Sequence, residues 1–290
     1  MADRGSDDLR SRVERALELL ERLLLRSLPS DIPDELDGIW GFRWRDGALE
    51  PIEHVDLYPL SGLLGVERSV ERLLRNLEAF TEGRPALDVL LYGERGTGKS
   101  SAVRGALREL GPGGLRLVEV LREDLMDLPR LFAVLRHEPG RYVLFCDDLS
   151  FEEGDASFKE LKSMLDGGVE ARPENVLVVA TSNRRHLIPE HMSENLAATH
   201  GPGGELHAAE ATEEKLSLSD RFGLLLPFFA FDQPTFLSIV DYHAHEIKLA
   251  GRLPAEELHA RALRFALDRS SRSGRTARQA CITILQELER

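Results

Sequence analysis

The chain has 290 residues and a formal net charge of −13, with 42% hydrophobic and 30% charged residues. That length and apolar content suffice for one large domain and a smaller companion, and they exclude a disordered or fibrous chain. The acidity argues against a protein that coats nucleic acid or an anionic membrane through its whole surface.

In chain order, the first expected element is a helix over residues 9–28. Leu9, Val13, Leu17, Leu20, Leu24 and Leu28 repeat there at three- and four-residue steps, and Pro29 and Pro33 end the pattern. The start, MADRGSDD, has no apolar h-region, so no signal peptide is expected. No apolar run approaches a membrane span, and the cytoplasm is the expected location. Residues 1–55 read as a helical N-terminal extension, with Trp40, Phe42 and Trp44 as a packing plug.

From Leu64 onward strands and helices alternate. Val70, Leu73, Leu74 and Leu77 give one helix an apolar face. The apolar runs Val89–Tyr92, Leu115–Val120, Tyr142–Cys146, Val176–Ala180 and Leu224–Phe229 read as buried strands. Short apolar runs separated by helical patterns predict a parallel sheet covered on both faces. A loop at 193–215, with Gly201-Pro202-Gly203-Gly204, is expected to be mobile. After Asp232 only helical patterns remain, over Phe236–Leu249, Ala255–Asp268 and Thr276–Leu288. The expected division is therefore an extension (1–55), an α/β domain (56–231) and a small all-helical domain (232–290).

The strongest motif is Gly93-Glu94-Arg95-Gly96-Thr97-Gly98-Lys99-Ser100, a full match to G-x-x-x-x-G-K-[ST] between a strand and a helix. Glycines let several backbone N–H groups turn toward one anion, and the following helix adds its positive end. Lys99 is expected to reach the β- and γ-phosphates of a nucleotide, facing solvent and phosphate, and Ser100 to place its hydroxyl on Mg²⁺. Ser101 stands directly behind them. The chain has two cysteines, Cys146 and Cys281, in no metal-ligand spacing. His243 and His245 are two apart and diverge on a helix, which disfavours a metal hydrolase.

Tyr142–Asp148 is an apolar strand ending in two carboxylates. Asp147 is the candidate metal-associated residue, acting through bound water, and Asp148 the candidate group that polarises an attacking water. Asn183, at the tip of a third strand, can contact a γ-phosphate or that water. Arg221 in Ser217–Gly223 reads either as a surface pair with Asp220 or as an arginine reaching a neighbouring subunit's nucleotide. Arg275, with Arg278 as the alternative, reads either as a solvated residue at a helix start or as a cation folding back over the phosphates. Both belong to a basic stretch that also holds Arg261, Arg264, Arg269 and Arg272, against Asp268 alone. That stretch reads as a solvated helix face with one or two functional arginines, a local basic patch being the alternative.

With these residues in order, the chain resembles the AAA+ ATPases over roughly residues 55–290. Gly93–Ser100 resembles the Walker A loop and Phe145–Asp148 the Walker B strand end. Asn183 resembles the first sensor, Arg221 the arginine finger and Arg275 the second sensor. Leu64-Gly65-Val66-Glu67 resembles the segment that helps enclose adenine, which makes Gly65 a candidate contact. LLYGERGTGKSSAV, FCDDLSFEEGDASFKELKSMLDGG, RPENVLVVATSNRRHLIPEHMSEN and EEKLSLSDRFGL together resemble a bacterial family filed as a domain of unknown function, number 815. The resemblance implies a P-loop sheet sandwiched by helices, with a helical lid at 232–290. It implies ATP and Mg²⁺ as ligands, hydrolysis to ADP and phosphate, a homo-oligomer, and a protein or nucleoprotein partner to remodel. The net charge favours protein over nucleic acid as that partner, and no membrane is expected.

Two departures shape that expectation. The usual Walker B ending is Asp-Glu, and Asp147-Asp148 is one methylene shorter, which fits slow hydrolysis or a nucleotide-gated module with little turnover. No aromatic–apolar–Gly loop follows Leu115–Val120, which disfavours a threading unfoldase. None of the five lysines lies in a guanine-reading [NT]KxD motif.

Overall fold

The computed structural model describes residues 39–150, 156–166, 172–183 and 221–289. The expected helix over 9–28, the loop at 193–215 and Asp220, the alternative partner of Arg221, lie outside them. The strands are β1 (Gly41–Arg45), β2 (Ala48–Pro51), β3 (Val89–Gly93), β4 (Leu115–Val120), β5 (Arg141–Cys146), β6 (Val176–Ser182) and β7 (Leu224–Phe228). They form one sheet in the order β2-β1-β4-β5-β6-β3-β7. Every pairing is parallel except the β1–β2 hairpin.

Helices cover both faces, as the mostly apolar runs require. The period of two along each strand splits the core. Val89, Leu91, Val143, Phe145, Leu177 and Val179 face one side. There they meet α1 (Glu67–Thr81) and α2 (Lys99–Leu110). Leu90, Tyr142, Leu144, Val178 and Ala180 face the other side, which is covered by α3 (Leu128–Leu135) and α4 (Ala156–Asp166). From Gln233 only helices follow: α5 (Gln233–Glu246), α6 (Ala255–Asp268) and α7 (Gly274–Leu288). Asp232 caps α5 through the Thr235 N–H, and Ser273 caps α7 through the Thr276 N–H. Phe236, Ile239, Ala277 and Ile284 join the α1–α2 side of the core, so these helices pack onto the sheet layer. No helix among the described residues is long and apolar enough to cross a membrane.

The helical extension expected over 1–55 needs correction. Residues 41–51 form the β1–β2 hairpin, and β1 pairs with β4 inside the main sheet. Phe42 and Trp44 are fully buried against the α3–α4 face. The reason lies in the pattern Phe42-Arg43-Trp44-Arg45, which alternates apolar and polar, followed by Asp46-Gly47. Both turn residues have positive φ, 50° and 78°, which is what a tight two-residue hairpin turn demands.

Candidate active site

In a parallel sheet the C-terminal strand ends lie on one edge. The phosphate loop leaves β3 at Gly93, the carboxylates leave β5 at Asp147, and Asn183 follows β6 directly. These three chain exits open into one cavity of about 670 Å³, within the size range of small-ligand sites. Arg95 to Ser101, Asp147, Asp148, Thr181 and Asn183 line one end. Arg275, Arg278, Gln279 and Ile282 line another part from α7. Their three- and four-residue spacing places them on one helix face. Five cations (Arg95, Lys99, Arg104, Arg275, Arg278) stand there against three carboxylates (Asp56, Asp147, Asp148). In a chain of net charge −13, that local excess favours a polyanion.

The loop glycines have positional reasons. Gly93 has φ 130°, and a Cβ there would meet the Phe228 carbonyl oxygen at 2.2 Å. Gly98 has φ 101° and opens α2 from a left-handed conformation. The N-terminus of α7 also docks on the loop, the Gly274 N–H donating to the Gly96 carbonyl at 3.0 Å.

Lys99 is only 6% exposed, which corrects the expectation that it faces solvent. Its ammonium donates to the carbonyls of Gly93 at 2.9 Å and Glu94 at 2.8 Å, and to Asn183 Oδ1 at 3.1 Å. The tight turn points those carbonyls inward, where a cation satisfies them. Burial holds the Lys99 pKa below its ordinary value, while Asp148, Asp147 and Glu94 oppose the shift.

Around the carboxylates, Ser100 Oγ donates to Asp147 Oδ1 at 2.7 Å. The Thr181 hydroxyl donates to the same oxygen at 2.5 Å and accepts from the Asp148 N–H at 2.8 Å. The Asn183 amide donates to Asp148 Oδ1. Asp148 has φ 52°, a left-handed conformation that Asp tolerates better than most side chains. Lys99, Asn183 and Asp148 thus form one hydrogen-bonded chain.

With that geometry established, comparison with known proteins decides the family. The model described as "Protein of unknown function (DUF815)" matches residues 37–288. This chain belongs to the DUF815 family. The family assignment agrees with the motif resemblance. No curated protein matches this DUF815 member. Among solved structures it is similar to the Holliday junction branch migration motor RuvB of Thermotoga maritima. Identity is 17% and the TM-score 0.46, over 79% of this chain and 71% of that one. A point variant of the same motor gives 17% identity and a TM-score of 0.47 over the same shares.

Not every candidate residue lies in the cavity of this DUF815 chain. Gly65 sits behind the wall, where a Cβ would meet Thr235 at 2.5 Å, and its neighbours Gly62, Leu63 and Leu64 line the cavity instead. Gly93 and Glu94 support Lys99 through their carbonyls. Arg221 precedes β7, whose register pairs Leu224 with Val89 and Phe228 with Gly93. It therefore lies on the opposite sheet edge, about 13 Å of strand away from its own phosphate loop. The basic stretch at 261–278 is not one patch: Arg275 and Arg278 face the cavity, while Arg261 pairs with Glu257 and Glu287. Sequence reading missed Thr181, a hydroxyl one strand over from Asp147. The polar tip Thr181-Ser182-Asn183 was its only signal.

Proposed function

We propose that this chain binds ATP with Mg²⁺ in the cavity and hydrolyses it to ADP and phosphate as an AAA+-type ATPase, acting as a homo-oligomer that remodels a protein or nucleoprotein partner. The convergence of the phosphate loop, both aspartates, Asn183 and the α7 arginines on one positively lined cavity supports this most directly. The oxygen pair Ser100 Oγ and Asp147 Oδ1, 2.7 Å apart, fits a hard cation. Among the described residues no cluster of three His, Cys, Asp or Glu forms a protein cage, which suits an ion carried in with the nucleotide. When bound, Mg²⁺ supplies neutralisation of charge on the β- and γ-oxygens.

The loop amides and Lys99 hold the phosphates. Asp148 orients the attacking water and accepts its proton, while Asn183 fixes both Asp148 and the water. The water oxygen bonds to the γ-phosphorus as the bond to the β–γ bridging oxygen breaks, leaving ADP and phosphate. Arg275 and Arg278 cover the phosphates from α7, and Arg221 serves the nucleotide of a neighbouring copy.

A second reading, a nucleotide-gated module with little turnover, is favoured by the short Asp148 side chain tied to Asn183. Steady-state phosphate release by the purified protein, with particle size measured with and without a non-hydrolysable ATP analogue, separates the two. Turnover with analogue-dependent assembly is the expected result. Binding without release sustains the module instead.

Thr181→Val keeps the side chain's shape and removes its hydroxyl. Loss of one supporting bond to Asp147 and one to the Asp148 backbone is expected to lower turnover about 10- to 100-fold. Phosphate release titrated against Mg²⁺ concentration checks this, and an unchanged Mg²⁺ profile contradicts the positioning role.

A further inference from the structure

Away from the phosphate end, the cavity is walled by apolar side chains: Leu63 and Leu64 ahead of α1, Phe231 before α5, Ile239 on α5 and Ile282 on α7. Tyr58, Gln279 and His243 interrupt that wall. His243 lies one turn after Ile239 on the same helix face, borders the cavity, and is only 7% exposed. Among the described residues its ring contacts are an edge-on approach to Tyr242, with centroids 5.5 Å apart, and the charge of Arg278. No described residue donates to or accepts from its ring nitrogens. The ring nitrogens are not sealed from solvent, so a molecule in the cavity can reach them.

We propose that His243 reads the edge of the adenine base, so that the helical C-terminal part sets base preference while the phosphate loop supplies affinity without regard to base. This rests on the nucleotide reading above and adds the residue that selects the nucleoside. The apolar walls suit the faces of a purine ring. A neutral imidazole offers one acceptor and one donor. Adenine presents an exocyclic amine beside a ring-nitrogen acceptor, which a ring nitrogen of that imidazole can meet. Guanine places a carbonyl oxygen where adenine has its amine, and the imidazole's acceptor nitrogen cannot bond it. Burial, then the Arg278 guanidinium, hold the His243 pKa below its ordinary value, which keeps the ring neutral at pH 7.

The test measures affinities of the parent, His243→Leu and His243→Gln for ATP, GTP and inorganic tripolyphosphate, all with Mg²⁺. Leu completes the apolar wall without hydrogen bonding, and Gln restores a donor and an acceptor. The expected result for His243→Leu is a loss of ATP affinity of about tenfold. Its ATP-to-GTP ratio falls toward unity, its tripolyphosphate affinity stays unchanged, and its melting temperature without nucleotide is equal or higher. His243→Gln recovers part of the ATP preference. An unchanged ATP-to-GTP ratio in His243→Leu overturns the proposal. So do equal losses for ATP and tripolyphosphate, the mark of a residue that only packs the helices. A parent that binds tripolyphosphate but shows no preference among bases overturns it while leaving the phosphate site standing. A parent that binds neither removes the nucleotide reading itself.

Discussion

Lys99→Ala weakens ATP binding by at least about thirtyfold and lowers thermal stability. Two separate losses produce these effects. Removing one partner from a buried, hydrogen-bonded charge contact costs about 2–5 kcal/mol of binding, which is roughly 30- to several-thousand-fold in affinity. The second loss is internal: the ammonium satisfies the Gly93 and Glu94 carbonyls and Asn183 Oδ1. Alanine leaves two inward-facing carbonyls without that donor, at a cost of about 1–3 kcal/mol. A lysine free in solvent predicts a silent effect on folding, whereas this one predicts a lower melting temperature even without nucleotide. Calorimetric titration with ATP and a thermal scan check the two halves independently. Unaltered ATP affinity counts against the whole account, and unaltered stability against the packing of the loop alone.

Arg221→Ala leaves ATP affinity near the parent value and lowers turnover by about 10³- to 10⁵-fold, the range for loss of an arginine that stabilises phosphoryl transfer. The argument is topological. The β3–β7 register puts Arg221 beyond the N-terminal end of β7, whereas its own phosphate loop leaves the opposite end of β3. It lies far from the nucleotide proposed for its own chain, so the proposed role requires a second copy. Mixing separates this from a folding defect. In a mixture of Arg221→Ala and Lys99→Ala proteins, the first retains a working phosphate loop and the second a working arginine. Partial recovery of phosphate release in the mixture is the expected result. No recovery, or parent-level turnover in Arg221→Ala alone, removes the role in trans.

The parallel sheet and the C-terminal helices were legible because their patterns are strong. Five short, mostly apolar runs can bury themselves only between two helical layers. The phosphate loop was legible because its glycine and lysine spacing matches a full phosphate-loop motif between a strand and a helix. The β1–β2 hairpin was not read as such, although Asp46-Gly47 and the alternation from Phe42 to Arg45 encode it. Trp40, Phe42 and Trp44 form an aromatic cluster within that short alternation, and the cluster masks its period of two. The burial of Lys99 was invisible for another reason: sequence shows a lysine beside glycines, while only the folded turn reveals carbonyls pointing inward. Thr181 and His243 share that limitation. Their neighbours in space, Asp147 across the sheet and the apolar wall ahead of α1, are distant in sequence. The stripe Arg275, Arg278, Gln279 and Ile282 lay within reach of helical spacing, since all four fall on one face of α7.

Titration of the purified protein with a non-hydrolysable ATP analogue in the presence of Mg²⁺ tests the polyphosphate cradle most directly. One saturable site per chain, displaced by inorganic tripolyphosphate and much weakened in Lys99→Ala, is the result this geometry predicts. Absence of saturable binding at millimolar nucleotide, or binding that tripolyphosphate leaves in place, contradicts it.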